Sequence, residues 1–358
     1  MIGSSRLLSY LASLALLSVP CRAAPLGLVL SGGGAKGAYQ IGVWKAFCEE
    51  GLGKDVVAIS GTSVGAINAA LFALVPDPVR CVELWREVSA TAFSVNAQAV
   101  DRELTKTLDD ATELRDEMKA ERRRRIRRIE RMYGRPPTQE ELDEIDSDLA
   151  LESRLSMGAA LLLRLAEKIS DATDGKSKAV GFCDSKKFRD ELLSALPDKW
   201  RRDSPQVYVT AVEKASSRAR VFSLRNLPKA EVVSRIMASA AIPGVFDSVE
   251  IDGEMFIDGG FEAKGGDNTP VQPILDRHPE VRNIIVVSLV HKVGVLGPDV
   301  SRRSDGVTVT TIRPSQDIAG RLRGLQGIFD VTPEQANRLV QMGHDDAIQA
   351  LRAIKLPR

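Results

Sequence analysis

Histidine is scarce in this chain: three occur among 358 residues, His278, His291 and His344. A nucleophile–histidine–acid relay therefore has little to draw on. His278 precedes Pro279 in a polar turn and His344 falls in a terminal helical stretch, so His291, just past an apolar run, is the one triad candidate. Cysteine is as sparse. Of four, Cys21 lies in the N-terminal apolar stretch, and Cys48, Cys81 and Cys183 form an odd set without C-x-x-C spacing, so neither a disulfide framework nor a zinc site is written in them. An excess of one charge is missing too: 49 Lys and Arg stand against 48 Asp and Glu. No overall field attracts nucleic acid, and a polyanionic partner would need a local patch. Beyond the leader no apolar run reaches membrane-spanning length, and no internal repeat is present.

The first residues stand apart. Arg6 is followed by the uncharged stretch 7–19, then Pro20 and the small residues Ala23 and Ala24. This reads as a secretory signal peptide over 1–23, cleaved after Ala23, and predicts export to the periplasm or medium of a bacterial-type cell. Such a stretch is short for a helix across about 30 Å of hydrocarbon, although an uncleaved anchor or a buried strand stays open. Residues 24–358 then form the working domain.

Within it, Leu26 to Leu30 is a short apolar run that ends in Ser31-Gly32-Gly33-Gly34, followed by Tyr39, Val43, Ala46 and Phe47 at helical spacing. Val56 to Ile59 repeats the theme through Ser60-Gly61-Thr62-Ser63-Val64-Gly65 into an alanine-rich helical stretch. Two strand–loop–helix units in succession predict an α/β fold with a parallel sheet. Val207 to Val212 and Ile284 to Val290 read as buried strands, Val307 to Ile312 as an edge strand, and Pro333 to Ile354 as a capping helix.

Residues 101–150 differ in kind, with 12 basic and 15 acidic residues and Tyr133 as their only aromatic. Leu104, Leu108, Ala111, Leu114 and Met118 still trace an amphipathic helix, broken at Gly134-Arg135-Pro136-Pro137 and restarted at Thr138, whose hydroxyl forms a capping-box pattern with Glu141. A charged helical insertion over about 90–180 follows. Its arginines, Arg122 to Arg125 with Arg127 and Arg128, suit either a solvated helix balanced by acidic neighbours or peripheral contact with anionic headgroups.

Gly61-Thr62-Ser63-Val64-Gly65, between a predicted strand and a predicted helix, fits the G-x-S-x-G nucleophile elbow; a tight turn with a buried serine is the other reading. Gly32, Gly33 and Gly34, with Ala35-Lys36-Gly37, expose consecutive backbone N–H groups that can converge on an oxyanion. The same letters satisfy G-x-G-x-x-G, but Asp55, the acid 18 residues past Gly37, precedes the second apolar run, where a ribose-binding acid would follow it. A P-loop is excluded because Gly37, not Ser or Thr, follows Lys36. Met255-Phe256-Ile257-Asp258-Gly259-Gly260 places an aspartate at the end of an apolar stretch, as a candidate base or as a hairpin-turn residue. The glycine-rich segment Gly265 to Pro270 either lines the site or is plain surface loop.

Taken in order, Gly32 to Gly37, Gly61 to Gly65, Ser239-Ala240-Ala241-Ile242-Pro243 and Asp258-Gly259-Gly260 resemble the patatin-like phospholipases, serine lipid acyl hydrolases with a Ser-Asp dyad. The resemblance spans most of residues 25–290. It implies a three-layer α/β/α fold with a mostly parallel central sheet, Ser63 as nucleophile, Asp258 as general base, and Gly32, Gly33 and Gly34 as the oxyanion hole. Lys36 and Gly37 would support that loop, with Gly61 and Gly65 shaping the elbow. It further implies a phospholipid or related acyl-ester substrate, no metal and no cofactor. A hydrolase of small soluble esters or thioesters, and an idle lipid- or partner-binding protein of the same fold, are the alternatives.

Overall fold

The computed structural model describes residues 24–75, 77–92, 111–149, 185–242, 245–261, 265–293, 298–318 and 332–353. The leader read over 1–23, Cys21, Cys183, Pro243 and most of the two ends of the insertion lie outside them.

Five parallel strands make the centre: β1 (Leu26–Leu30), β2 (Val56–Thr62), β3 (Gln206–Glu213), β7 (Asn283–Val287) and β9 (Thr308–Ile312), in the spatial order β3-β2-β1-β7-β9. Antiparallel strands extend both flanks. β4 (Arg218–Ser223), β6 (Glu254–Asp258) and β5 (Val249–Ile251) lie on the β3 side, and β8 (Asp299–Arg302) pairs with β9. The expected edge strand at Val307 to Ile312 is therefore interior, because the polar β8, which has no apolar signature, covers it.

Alternation along the strands splits the core in two, as a period of two residues requires. Leu28, Leu30, Val207, Val209, Ile285 and Val287 face one cluster, while Val29, Tyr208, Ile284, Val286 and Val309 face the other. The first is covered by α1 (Ala38–Glu49), α2 (Val64–Leu74), α3 (Pro78–Ala92), α6 (Ser185–Ala195), α7 (Lys229–Ser239) and α9 (Pro333–Ala353). The second carries α8 (Gln272–Arg277) and α4 (Ala111–Tyr133), whose Tyr133, Ile129 and Met132 join that core.

The charged insertion thus supplies part of a helical layer. α4 ends at Gly134, whose φ of 67° is the left-handed form that terminates helices. The chain restarts as α5 over 139–149. Here the capping box forms: the Glu141 amide donates to Thr138 Oγ1 at 3.2 Å and the Thr138 amide to Glu141 Oε2 at 2.7 Å.

Candidate active site

Ser63 sits where β2 ends and α2 begins, with φ 55° and ψ −123°, a region that costs a side-chain-bearing residue about 1–3 kcal/mol. Its glycine neighbours make the elbow possible. A Cβ on Gly61 would lie 2.2 Å from Gly65 O, and one on Gly65 would lie 2.2 Å from Leu30 O. The first turn of α2 is thereby pressed against the end of β1, which carries the glycine loop.

Strand register brings the base to the nucleophile. β2 pairs with β3 up to Thr62↔Thr210, and β6, running the other way, pairs with β3 from Ala211↔Asp258 onward. Since β4 occupies the opposite edge of β3 over these residues, β2 and β6 share one edge and meet end to end. Ser63 and Asp258 follow from that meeting; both are buried. Asp258 Oδ1 accepts the Gly260 amide at 2.7 Å, while Oδ2 is buried with no hydrogen-bond partner among the described residues. Burial pushes the Asp258 carboxyl up to about 6, against the opposing pull of the Ser63 hydroxyl and the Gly260 amide.

The glycine loop is held from below by two buried amides. Gln40 Nε2 donates to Ser31 O at 2.8 Å, and Asn68 Nδ2 donates to Gly37 O at 3.0 Å and to Gln40 Oε1 at 2.8 Å. Within the loop the three glycines part company. The Gly32 amide already donates to the carbonyl and side-chain oxygens of Asn268, at 3.3 and 3.1 Å. It is not free to meet a substrate oxygen, contrary to the expectation for Gly32. The Gly33 and Gly34 amides have no acceptor among the described residues. Lys36 is buried beside them, and burial lowers its ammonium pKa against the opposing pull of the Asp148 and Asp317 carboxylates.

Two segments that the sequence singled out gain their roles only in three dimensions. Ser239, fully buried, accepts the Ser63 amide on Oγ at 3.0 Å, donates to Thr210 O at 2.6 Å, and accepts the Gly259 amide on its carbonyl at 3.1 Å. Asp267 and Asn268, in the segment Gly265 to Pro270 read as site lining or surface loop, touch Thr62, Gly259 and Gly32 and tie the motif loops together. The histidines are engaged elsewhere: His278 with Tyr208 and Glu280, His291 with Pro314 O, and His344 with Glu49. Asp55 lies in the turn before β2, away from the glycine loop's helix start.

Fold and site together define an α/β protein whose serine, on a strained strand–helix elbow, faces a buried carboxylate beside a glycine loop. The family model described as Patatin-like phospholipase matches residues 28–275, and the chain belongs to that family. Over 54 residues, 15% of this chain and 4% of the relative, it is 50% identical to a patatin-like phospholipase domain-containing protein of Caenorhabditis elegans. It is 54% identical over 54 residues to a lysophospholipase of Aspergillus terreus, covering 15% of this chain and 3% of that one. The chain spans only a small part of these curated relatives. Among solved structures, VipD from Legionella pneumophila aligns with a TM-score of 0.45 at 20% identity, over 92% of this chain and 67% of that one.

Proposed function

We propose that this protein is a serine lipid acyl hydrolase, cleaving fatty-acyl esters of phospholipids or related lipids through an acyl-enzyme on Ser63 with Asp258 as general base. One observation carries the reading: the end-to-end meeting of β2 and β6, which sets Ser63 beside a buried carboxylate whose pKa of about 6 leaves it ionised at neutral pH yet basic enough to take a proton. Ser63 Oγ attacks the ester carbonyl carbon as its proton passes to Asp258. The charge on the carbonyl oxygen is received by the Gly33 and Gly34 amides and by the positive end of α2. Collapse expels the alcohol, which takes the proton from Asp258. Water, deprotonated by the same carboxylate, attacks the acyl carbon, and the Ser63 oxygen takes that proton back from Asp258 as the fatty acid leaves.

The test is fatty-acid release from phosphatidylcholine vesicles by the purified protein beside Ser63→Ala and Asp258→Asn, with folding followed by circular dichroism. Both folded variants are expected to lose about 10²–10⁴-fold in rate. Full activity in Asp258→Asn overturns the assignment. Hydrolysis of a dissolved short-chain ester but not of vesicles replaces it with a small-ester hydrolase.

Peripheral contact with an anionic surface, one of the two readings of the arginine cluster, is proposed here for Arg123 and Arg127. Arg122 pairs with Asp146, Arg124 and Arg125 with Glu121, and Arg128 with Asp267. Arg123 and Arg127 are exposed, and their side chains form no hydrogen bond or ion pair among the described residues. Unchanged binding of Arg123→Ser/Arg127→Ser to phosphatidylglycerol vesicles at low salt would end this reading. Export is part of the proposal, and N-terminal sequencing of the mature protein is expected to begin at Ala24.

A further inference from the structure

Three loops make the site, and one dipeptide touches all of them. The Asp267 carbonyl accepts Thr62 Oγ1 at 2.7 Å, from the residue before the nucleophile. The Asp267 amide donates to Gly259 O at 2.8 Å, the residue after the base. Asn268 next to it takes the Gly32 amide, at the start of the glycine loop. Whatever fixes Asp267 and Asn268 therefore fixes the spacing of nucleophile, base and oxyanion donors together.

The Asp267 side chain is held in turn. Its Oδ1 accepts the Thr269 amide at 3.0 Å and faces Arg128 Nη2 at 3.3 Å. Arg128 belongs to α4, in the charged insertion, and both side chains are about three-quarters buried, at 28% and 25% exposure. Arg122, one helix face away, makes a closer pair at 2.7 Å, but to Asp146 on α5 of the same insertion, with 41% and 51% exposure. A second link from the insertion reaches the same loops: Asp148, paired with Arg125 at 3.5 Å, acts electrostatically on Lys36 of the glycine loop.

From this arrangement the geometry points to Arg128 as a positioning residue: the insertion holds the three catalytic loops in register by gripping Asp267. The inference rests on the reading of Ser63 and Asp258 as the reacting pair. Docking of the insertion does not depend on this contact. Tyr133 is buried in the sheet's second core, Arg303 binds the Arg131 and Met132 carbonyls, and Glu144 pairs with Lys292 and Arg313. Loss of Arg128 should loosen the loops and leave the fold in place.

The experiment compares Arg128→Gln, Arg128→Lys and Arg122→Gln on two substrates, phosphatidylcholine vesicles and dissolved p-nitrophenyl butyrate. Arg128→Gln is expected to lower kcat about tenfold on both, with KM within about twofold, since small misplacements of reacting groups are costly. Arg128→Lys should recover most of the rate, because a single nitrogen makes the contact, and Arg122→Gln should match wild type. A loss on vesicles alone would make Arg128 a lipid contact and overturn the inference. An equal loss in Arg122→Gln, or none in Arg128→Gln, would overturn it as well. Should wild type hydrolyse neither substrate, the proposed function falls, and hydrogen exchange still decides the positioning. Faster exchange of the Gly259 and Asp267 amides in Arg128→Gln but not in Arg122→Gln supports it, and equal exchange sinks it.

Discussion

At Asp258, ionisation works against the fold. Burial pushes its carboxyl from the ordinary carboxylate range up to about 6, because charge there is desolvated. That difference corresponds to about 3 kcal/mol at full ionisation. The sign follows directly: below about pH 4 the group is neutral in both folded and unfolded chains and costs nothing. The penalty grows as pH rises toward 6 and is constant above it. Asp258→Asn is therefore expected to raise stability by about 1–3 kcal/mol at pH 8 in urea titrations, the gain vanishing near pH 4, while activity is lost. For wild type, kcat/KM should rise with pH through about 6, the value of the free carboxyl. The thiols behave oppositely to a reactive nucleophile. Burial pushes Cys48 up to about 11 and Cys81 higher still, so neither should label with iodoacetamide at pH 7 in the folded protein. Ser63 and Asp258 stood out as candidates because flanking glycines mark both; Ser239 stood in a family motif, but its role was not legible, since its partners Ser63, Thr210 and Gly259 are remote in sequence.

Among the elements, the elbow and the α5 start make the sharpest tests. Gly65→Ala places a Cβ at 2.2 Å from the Leu30 carbonyl, and should cost about 2–4 kcal/mol in denaturant unfolding, more than a surface substitution. Thr138→Ala removes one half of a reciprocal cap and should cost about 0.5–2 kcal/mol, seen as faster amide exchange over 139–149. Elements with strong periodicity were legible: β1, β2, β3, α1, α9 and the break between α4 and α5. β7 stops at Val287, short of the expected Val290, because the Leu289 amide turns to Ser31 Oγ at 3.0 Å. β4 and β8 escaped because exposed flanking strands need no apolar alternation; Arg218 and Arg220 in β4 stand in solvent.

Across the whole molecule, the last helix closes on the first. α9 packs on α1 so tightly that a Cβ on Gly42 would lie 1.9 Å from Val340 O, and one on Gly343 2.0 Å from Tyr39 O. Tyr39 adds a hydrogen bond to Asp346 at 3.1 Å. Nothing in the local sequence of either glycine marks this approach, because the partner helix lies about 300 residues away in the chain.

The amino-acid order by itself determined the pieces. Two strand–glycine–helix units, a serine between glycines and an aspartate at a strand end are local patterns, set by backbone sterics and by periods of two and 3.6 residues. Only the tertiary structure decided how they meet. Pairing of β2 and β6 on one edge of β3 set Ser63 against Asp258. Folding also gave Gly32 to Asn268 and Arg128 to Asp267. Hydrogen bonds and ion pairs choose partners by distance in space, and that distance follows from sheet register and helix docking rather than from neighbours in the chain.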